Sequence, residues 1–336
     1  MFDFREVIER TRRAAMDAAA QLRPPYPPVA IEVDRREALL VRLRRPARGR
    51  AVLEAHAVRP LSVEAVPRSI FEAPVGPASE LTQRFRELFE ASGTRPGRVS
   101  LVLPDNVAKI SLISLPERPA GSRQLDELVR ARMRRSVPFR LDEAVLSYQL
   151  FAGEGRQVAV LVLLARRFVV ERLEQALLPL GVRAGLIDIS SSNLLNLCRE
   201  RLDAATAGGG DAALLNSTPD YFSLVIVRDG RPIFFRCKSL GDEPPAANGN
   251  GVLVREMAGS LSYYHDKLAG RGLATILVRA AGGPFEDLAA KLQQLGQERV
   301  EPVGVAESID GRGTPLAPDL VLRIAPAVGA ALGRGR

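Results

Sequence analysis

The chain of 336 residues is 46% hydrophobic and 26% charged, which is typical of folded globular domains and excludes a disordered chain. Its 47 Lys and Arg residues exceed its 39 Asp and Glu residues, so the net charge is +8. Trp is absent and aromatic residues make up 5%, so the chain has few side chains on which nucleic-acid bases could stack. We interpret the scattered arginines as a solvated surface and expect no nucleic-acid partner.

The two cysteines and two histidines give no sign of a metal site. Cys198 and Cys237 lie far apart, form no C-x-x-C motif and share no metal-ligand spacing with His56 or His265. We therefore expect free thiols in a reducing compartment. The longest apolar run, residues 158–165, is far shorter than the ~20 residues of a membrane-spanning helix. Acidic residues near the N-terminus argue against a secretory signal, so we expect a cytoplasmic protein.

The N-terminal segment, residues 2–22, has the apolar spacing of an amphipathic helix, with Phe4, Ile8 and Leu22 on one face. Its alanine-rich half favours packing on its own domain, and contact with a membrane surface is the alternative. Prolines between residues 24 and 28 then predict a stiff, extended linker. Three strands and a helix are predicted next, over residues 29–33, 39–43, 51–57 and 79–92.

Residues 99–149 predict a strand, a turn, a second strand, a helix, a loop and a third strand, in that order. The helix must end before Pro138, because a residue that precedes proline avoids helical geometry. Residues 158–165 then form a continuous apolar strand, and three serines at 190–192 are expected to cap a helix. No base stands near these serines in the sequence, so a nucleophilic role is less favoured.

The glycine-rich residues 207–211 predict a domain boundary. Three more strands follow at 213–215, 221–227 and 233–237, and Asp229-Gly230 is a strong hairpin-turn signal between the last two. This unit repeats the strand and hairpin order of residues 29–57. The repetition is what a two-lobed fold with duplicated halves predicts.

The stretch 99–149 also resembles the PilM family, the cytoplasmic actin-like proteins of the type IV pilus inner-membrane platform. The resemblance is carried by apolar, proline and charged residues in the order typical of that family. They are Leu103, Pro104, Val107, Lys109, Leu115, Pro116, Glu127, Leu128, Pro138, Phe139, Glu143 and Tyr148. An ordinary β-α-β unit of another α/β protein is the alternative interpretation.

The resemblance implies an α/β, two-lobed, actin-like fold of the duplicated ribonuclease-H-like type, with a small inserted α+β subdomain, as in the cell-division relative FtsA. The implied division has five parts. They are an N-terminal helix and linker at 1–28, domain I at 29–206, an insert at about 97–157 within it, domain II at 207–322, and a C-terminal helix at 323–336 that returns to domain I.

The resemblance also implies a nucleotide cleft with two phosphate loops and a glycine pair beside the adenosine. Glycine lets the backbone approach a phosphate, and a carboxylate orders magnesium. The corresponding positions here are Glu32 and Asp34 in the first loop, Asn216, Thr218 and Asp220 in the second, and Ala280-Ala281, or Gly282-Gly283 after a two-residue shift, at the adenosine. Glycines are lost from both loops and the second aspartate is an amide. We therefore expect a degenerate cleft with no catalytic residue and no cofactor; the cofactor of a working cleft would be ATP with magnesium.

The function implied is that of an adaptor peripheral to a bacterial inner membrane, which binds the N-terminal tail of a PilN-like protein without efficient ATP hydrolysis. Other pilus platform proteins are further candidate partners, and self-association is left open. An active actin-like ATPase or kinase is the alternative, and a basic nucleic-acid-binding protein is a weaker one. By position, six residues would line the groove for the partner: Leu103, Asn106, Lys109, Ser111, Arg130 and Arg134.

Overall fold

The computed structural model describes residues 26–46, 49–73, 76–119, 121–153, 155–240, 249–297, 299–305, 309–310 and 316–333. The amphipathic helix predicted over residues 2–22 and the first two prolines of the linker, Pro24 and Pro25, lie outside these ranges. The strands are β1 Val29–Val33, β2 Glu37–Arg44, β3 Ala51–Pro60, β4 Arg98–Leu103, β5 Ala108–Leu115, β6 Ala144–Ala152, β7 Val158–Arg166, β8 Arg183–Ile189, β9 Asp211–Ser217, β10 Tyr221–Arg228, β11 Arg231–Ser239, β12 Leu273–Ala280, β13 Val300–Pro302 and β14 Ile309–Asp310. The helices are α1 Ala78–Ala91, α2 Ser122–Arg134, α3 Arg167–Leu177, α4 Ser190–Leu197, α5 Arg199–Thr206, α6 Gly249–Lys267, α7 Phe285–Gln294 and α8 Pro318–Leu332.

The first lobe is built on a mixed sheet in the order β14-β3-β2-β1-β4-β8. Strands β1, β2 and β3 form an antiparallel meander, and β1 pairs with β4, and β4 with β8, in parallel. Every residue of β1 is buried, as expected for a strand covered on both faces. Helix α1 buries Leu81, Phe85, Leu88 and Phe89 against one face of this sheet.

The second lobe repeats this arrangement with a sheet in the order β11-β10-β9-β12-β13. Strands β9, β10 and β11 form the second antiparallel meander, and β12 pairs with β9 in parallel. The predicted turn between β10 and β11 is confirmed: Asp229 and Gly230 both have positive φ angles, 48° and 71°. Asp and Gly tolerate this left-handed geometry, which matches the twist of a tight hairpin.

The third sheet is small and antiparallel, in the order β5-β7-β6. Helix α2 buries Leu125, Val129 and Met133 against it. Its strands lie between residues 108 and 166, whereas the predicted insert spanned about 97–157. Strand β4 belongs instead to the six-stranded sheet, where it is buried between β1 and β8. The apolar run at β7 is the central strand of the small sheet, and an apolar central strand of either sheet type gives the same sequence pattern.

Helix α8 begins five residues before the position predicted for the C-terminal helix and packs against α4 and against β1, β2 and β4 of the first lobe. It also contacts β12 of the second lobe. Its approach to α4 is very close, because a Cβ added at Gly329 would lie 2.1 Å from the carbonyl oxygen of Asn193. Within the described part of the chain, no helix is long and apolar enough to cross a membrane.

Candidate functional site

The tips of the two duplicated hairpins meet across the cleft between the lobes. Arg35, between β1 and β2, donates from Nη1 to Oδ1 of Asp220 at 2.7 Å, and both side chains are buried. Arg36 donates from Nε to the other carboxylate oxygen of Asp220 at 3.3 Å. Thr218 shapes the second hairpin, since its hydroxyl oxygen accepts the backbone N–H groups of Asp220 and Tyr221. The carboxylate of the second loop is therefore bound by arginines of the opposite lobe.

A second and deeper ion pair joins the lobes behind these tips. Arg279, at the end of β12, lies with Nη2 3.0 Å and 3.1 Å from the two carboxylate oxygens of Glu32 on β1. Nη1 of Arg279 donates to Ser190 Oγ at 3.1 Å and to Asn216 Oδ1 at 3.2 Å. The two charged residues are only 3% and 4% exposed. A buried guanidinium from one lobe thus occupies the space in front of a buried carboxylate from the other.

The same guanidinium also holds the C-terminal helix. Its Nε donates to the carbonyl oxygen of Leu322 and its Nη2 to that of Arg323, both at 3.0 Å. In a regular helix the Leu322 carbonyl would accept the N–H of residue 326, but this residue is Pro326, which has no N–H. Arg279 therefore supplies the donor that the proline lacks. Its five N–H groups have five acceptor groups, so none is left unsatisfied.

A fully buried carboxylate, Asp105, adjoins this ion pair. It accepts the backbone N–H of Ser191 at 2.9 Å, the Ser191 hydroxyl and Nδ2 of Asn216 at 3.2 Å. Burial raises the pKa of Asp105, although these donors oppose the shift. Asn216 thus donates to Asp105 through its nitrogen and accepts from Arg279 through its oxygen. An amide is the side chain that can do both.

The pKa of Glu32 is raised to about 7, because the loss of hydration on burial outweighs the attraction of Arg279. Ser190 and Ser191, predicted as capping residues, do not cap α4; helix α4 begins at Ser190 and has no side-chain cap. Their hydroxyls instead face the two buried carboxylates, Ser190 towards Glu32 and Ser191 towards Asp105. Hydrogen bonds to buried carboxylates outweigh the local capping preference here.

The turn after β12 closes against the second hairpin. The N–H of Ala281 donates to the carbonyl of Ser217 at 2.8 Å, and Ala280 is buried. A Cβ added at Gly282 would lie 3.0 Å from the backbone nitrogen of Pro219. Close contact between two loops thus accounts for Gly282, and no atom lies near the corresponding position of Gly283.

These residues fit a magnesium-bound nucleotide poorly. The carboxylates of Glu32 and Asp220 are already paired with Arg279 and Arg35, and the partly buried Asp34 would place a further negative charge beside a phosphate. Its Oδ1 accepts the N–H of Arg35 at 2.6 Å, which turns the carboxylate towards its own hairpin. Within the ranges that the structure covers, no group of three or more His, Cys, Asp or Glu side chains could hold a metal ion.

The residues predicted to line a partner groove divide into two sets. Leu103 and Asn106 are buried, and the Asn106 amide donates to the carbonyl of Arg68 at 2.7 Å, so neither faces a partner. Lys109 and Ser111 are partly exposed on β5. On α2, Arg134 is exposed and Arg130 pairs with Asp126 at 2.7 Å. The four surface residues all belong to the small sheet and its helix.

Sequence reasoning missed Arg279, Arg35 and Asp105 and assigned other roles to the serines. One signal was available for the principal pair. Arg279 directly follows the apolar run of β12, and Glu32 lies inside the wholly buried strand β1. Opposite charges at interior positions of two strands indicate a buried ion pair, because either charge alone would be costly to bury.

Two lobes with duplicated meanders and a cleft between their hairpins define the actin-like ATPase fold. A protein of that fold and of unknown function from Bacteroides thetaiotaomicron superposes with a TM-score of 0.51 at 10% identity, over 84% of this chain and 91% of that one. The PilM-PilN type IV pilus biogenesis complex superposes with a TM-score of 0.75 at 21% identity, over 92% of this chain and 97% of that one. The model of the type IV pilus assembly protein PilM family matches residues 31–246, so the chain belongs to that family. A comparison with curated proteins finds no match.

Proposed function

We propose that this protein is a cytoplasmic, actin-like adaptor of a type IV pilus or related secretion platform at the inner membrane, and that it binds the N-terminal tail of a PilN-like membrane protein. The observation that carries the proposal is membership of the PilM family over residues 31–246. The similar fold of a chain in a PilM-PilN type IV pilus biogenesis complex supports a partner of the same kind.

The small sheet and its helix supply the surface proposed for the partner. Lys109 and Ser111 on β5 and Arg134 on α2 are partly or fully exposed, and they are polar or basic. Arg123 and Arg130, by contrast, pair with carboxylates on their own helix. A basic surface beside a short sheet suits a polar peptide in extended conformation.

The cleft supports the second half of the proposal, an adaptor without efficient ATP hydrolysis. Hydrolysis in an actin-like cleft needs carboxylates that are available to magnesium and its water. Here Asp220 is bound by Arg35 and Arg36, and Glu32 is bound by Arg279. Two carboxylates from opposite lobes, each bound by arginine, favour an adaptor over an enzyme.

The test is binding of a synthetic peptide with the cytoplasmic N-terminal sequence of the PilN-like protein of the same genome, measured by calorimetry. We expect saturable binding that weakens by about tenfold or more in Lys109→Glu/Arg134→Glu, because both charges reverse. Arg123→Glu is the matched control: it reverses a charge on the same helix, its side chain is 92% exposed, and its binding should stay near that of the wild type. A well-folded protein that does not bind the peptide would contradict the proposal.

A parallel titration with ATP and magnesium examines the cleft. We expect no saturable binding below the millimolar range, because the cleft carboxylates are already paired. Clear binding in the micromolar range would instead favour an active ATPase or kinase.

A further inference from the structure

We propose that Arg279 is a built-in clamp that holds the two lobes closed from inside the cleft, in place of a nucleotide. The poor fit of the cleft residues to a magnesium-bound nucleotide points to this role, since the same atoms that exclude the nucleotide join the lobes. The inference concerns only the cleft, and it stands or falls independently of the partner proposed above.

The first argument is where the contacts of Arg279 come from. The arginine belongs to the second lobe, through β12, as does Asn216 on β9. Glu32 on β1 and Ser190 on α4 belong to the first lobe, and both contact the guanidinium within 3.1 Å. One side chain thus touches both lobes at once. Opening the cleft would part the cation from its anion, and a charge that stayed buried would then lack its partner, which is strongly unfavourable.

The second argument is that the guanidinium contacts the C-terminal helix α8 as well as the two lobes. Pro326 leaves the Leu322 carbonyl without a helical donor, and that carbonyl accepts from Arg279 at 3.0 Å. A proline inside a helix costs stability, because the carbonyl four residues before it loses its donor and needs another. Arg279 provides this contact, and α8 is thereby fixed to the interior of the cleft. The clamp joins β1, β12 and α8 at one point.

The third argument is that a second ion pair also crosses the cleft. Arg35 and Asp220 pair at 2.7 Å with side chains 7% and 8% exposed, at the tips of hairpins from opposite lobes. The two interlobe ion pairs run in opposite senses: the first lobe gives the carboxylate of one and the arginine of the other. Each lobe therefore contributes one buried cation and one buried anion, and each of these four charges has a partner of opposite sign.

The test is hydrogen exchange of the full chain at pH 8, above the pKa of about 7 of Glu32, followed by mass spectrometry. Arg279→Met keeps the apolar stem of the side chain and removes the guanidinium, so it leaves Glu32 buried without a cation. We expect amides at residues 32–36 and 216–220 to exchange roughly a hundredfold faster or more, as for the loss of one member of a buried ion pair. Addition of ATP with magnesium at 1 mM to the wild type should leave these amides unchanged.

Arg228→Met is the matched control. Arg228 forms an equally short pair with the buried Asp211, at 2.7 Å and 2.8 Å, but both residues lie in the second lobe. Its loss should speed exchange around β9 and β10 and leave residues 32–36 near the wild-type rate. If Arg279→Met does not fold, Arg35→Met removes the tip pair and should speed the same cleft amides by a smaller factor.

Two outcomes would overturn the clamp. One is cleft exchange in a folded Arg279→Met protein that stays within twofold of the Arg228→Met value at residues 32–36. The other is slower cleft exchange of the wild type when ATP and magnesium are added, because the cleft would then take the nucleotide despite Arg279.

Discussion

At the scale of single residues, Asn216 shows how one amide nitrogen in the cleft completes a buried network of hydrogen bonds. Its nitrogen donates to Asp105, its oxygen accepts from Arg279, and its side chain is fully buried. An aspartate in its place would have no N–H for Asp105 and would put two carboxylates side by side. The amide is therefore required by this network of hydrogen bonds.

We expect Asn216→Asp to lower the free energy of unfolding by about 1–3 kcal/mol at pH 8, because a buried hydrogen bond becomes a repulsion. Chemical denaturation measures this loss. The swapped double variant Asp105→Asn/Asn216→Asp restores one amide and one carboxylate and should recover most of the loss. A double variant no more stable than the single one would contradict the account.

Glu32 gives a prediction about pH. Burial raises its pKa from the usual 4.5 to about 7, so between these values the folded protein keeps a proton that the unfolded chain has lost. The stability from this proton is fully present below pH 4.5 and is lost as the pH rises through 7. Glu32→Gln removes the titration. The stability of the wild type relative to Glu32→Gln should therefore fall by up to about 3 kcal/mol between pH 4.5 and pH 8. Denaturation curves at several pH values test this, and a constant difference would contradict it.

At the scale of elements, α8 is the part of the chain that both lobes share. Pro326 frees a carbonyl for Arg279, and Gly329 allows the helix backbone to approach Asn193 on α4. A regular alanine-rich helix would give neither contact. Proline and glycine are the residue types that most weaken a helix, and here Pro326 and Gly329 allow α8 to contact its neighbours.

Gly329→Ala should destabilise the protein by about 1–3 kcal/mol or more, because the added Cβ would lie 2.1 Å from a backbone oxygen. Gly259→Ala makes the same change in α6 at an exposed position with no atom within 4 Å, and it should stabilise by about 0.5–1 kcal/mol. Thermal unfolding of the two variants gives the comparison. Equal shifts in Tm would show that the contact with α4 is not decisive.

At the scale of the whole molecule, one hydrophobic core runs through both lobes. It includes Leu39 and Val41 of β2, Leu224 of β10 and Ile324 of α8. The small sheet has a separate core, built from Val129, Met133 and their neighbours. A core that both lobes share couples their unfolding, whereas a small separate core opens more easily.

We therefore expect the amides of β5, β6 and β7 to exchange through an opening of lower free energy than those of β1 and β9. Native-state hydrogen exchange at increasing, sub-denaturing concentrations of denaturant separates the two openings. A single opening free energy shared by all three sheets would contradict the division.

Much of the fold could be predicted from the sequence because its signals are local. The apolar strand at β1, the Asp229-Gly230 turn and the proline after α2 each act within a few residues, and the repeated hairpins indicated two lobes. That the residues of both loops depart from the family pattern stays a prediction from the resemblance. The ion pairs of the cleft were not predicted, because Arg279 reads as the end of a strand and Asp105 as part of a turn until the strands around them are assembled.

The sequence by itself determined the duplicated halves, since alternating apolar residues and turn residues specify these through neighbours along the chain. The insert and the family were implied by the resemblance of residues 99–149. Only the tertiary structure shows that the charged residues of the cleft pair with one another. Arg279 and Glu32 are 247 residues apart, and Arg35 and Asp220 are 185 apart. Whether such charges face a ligand or each other depends on how two lobes and the C-terminal helix meet, because a charge is buried only where another charge or several polar groups compensate it.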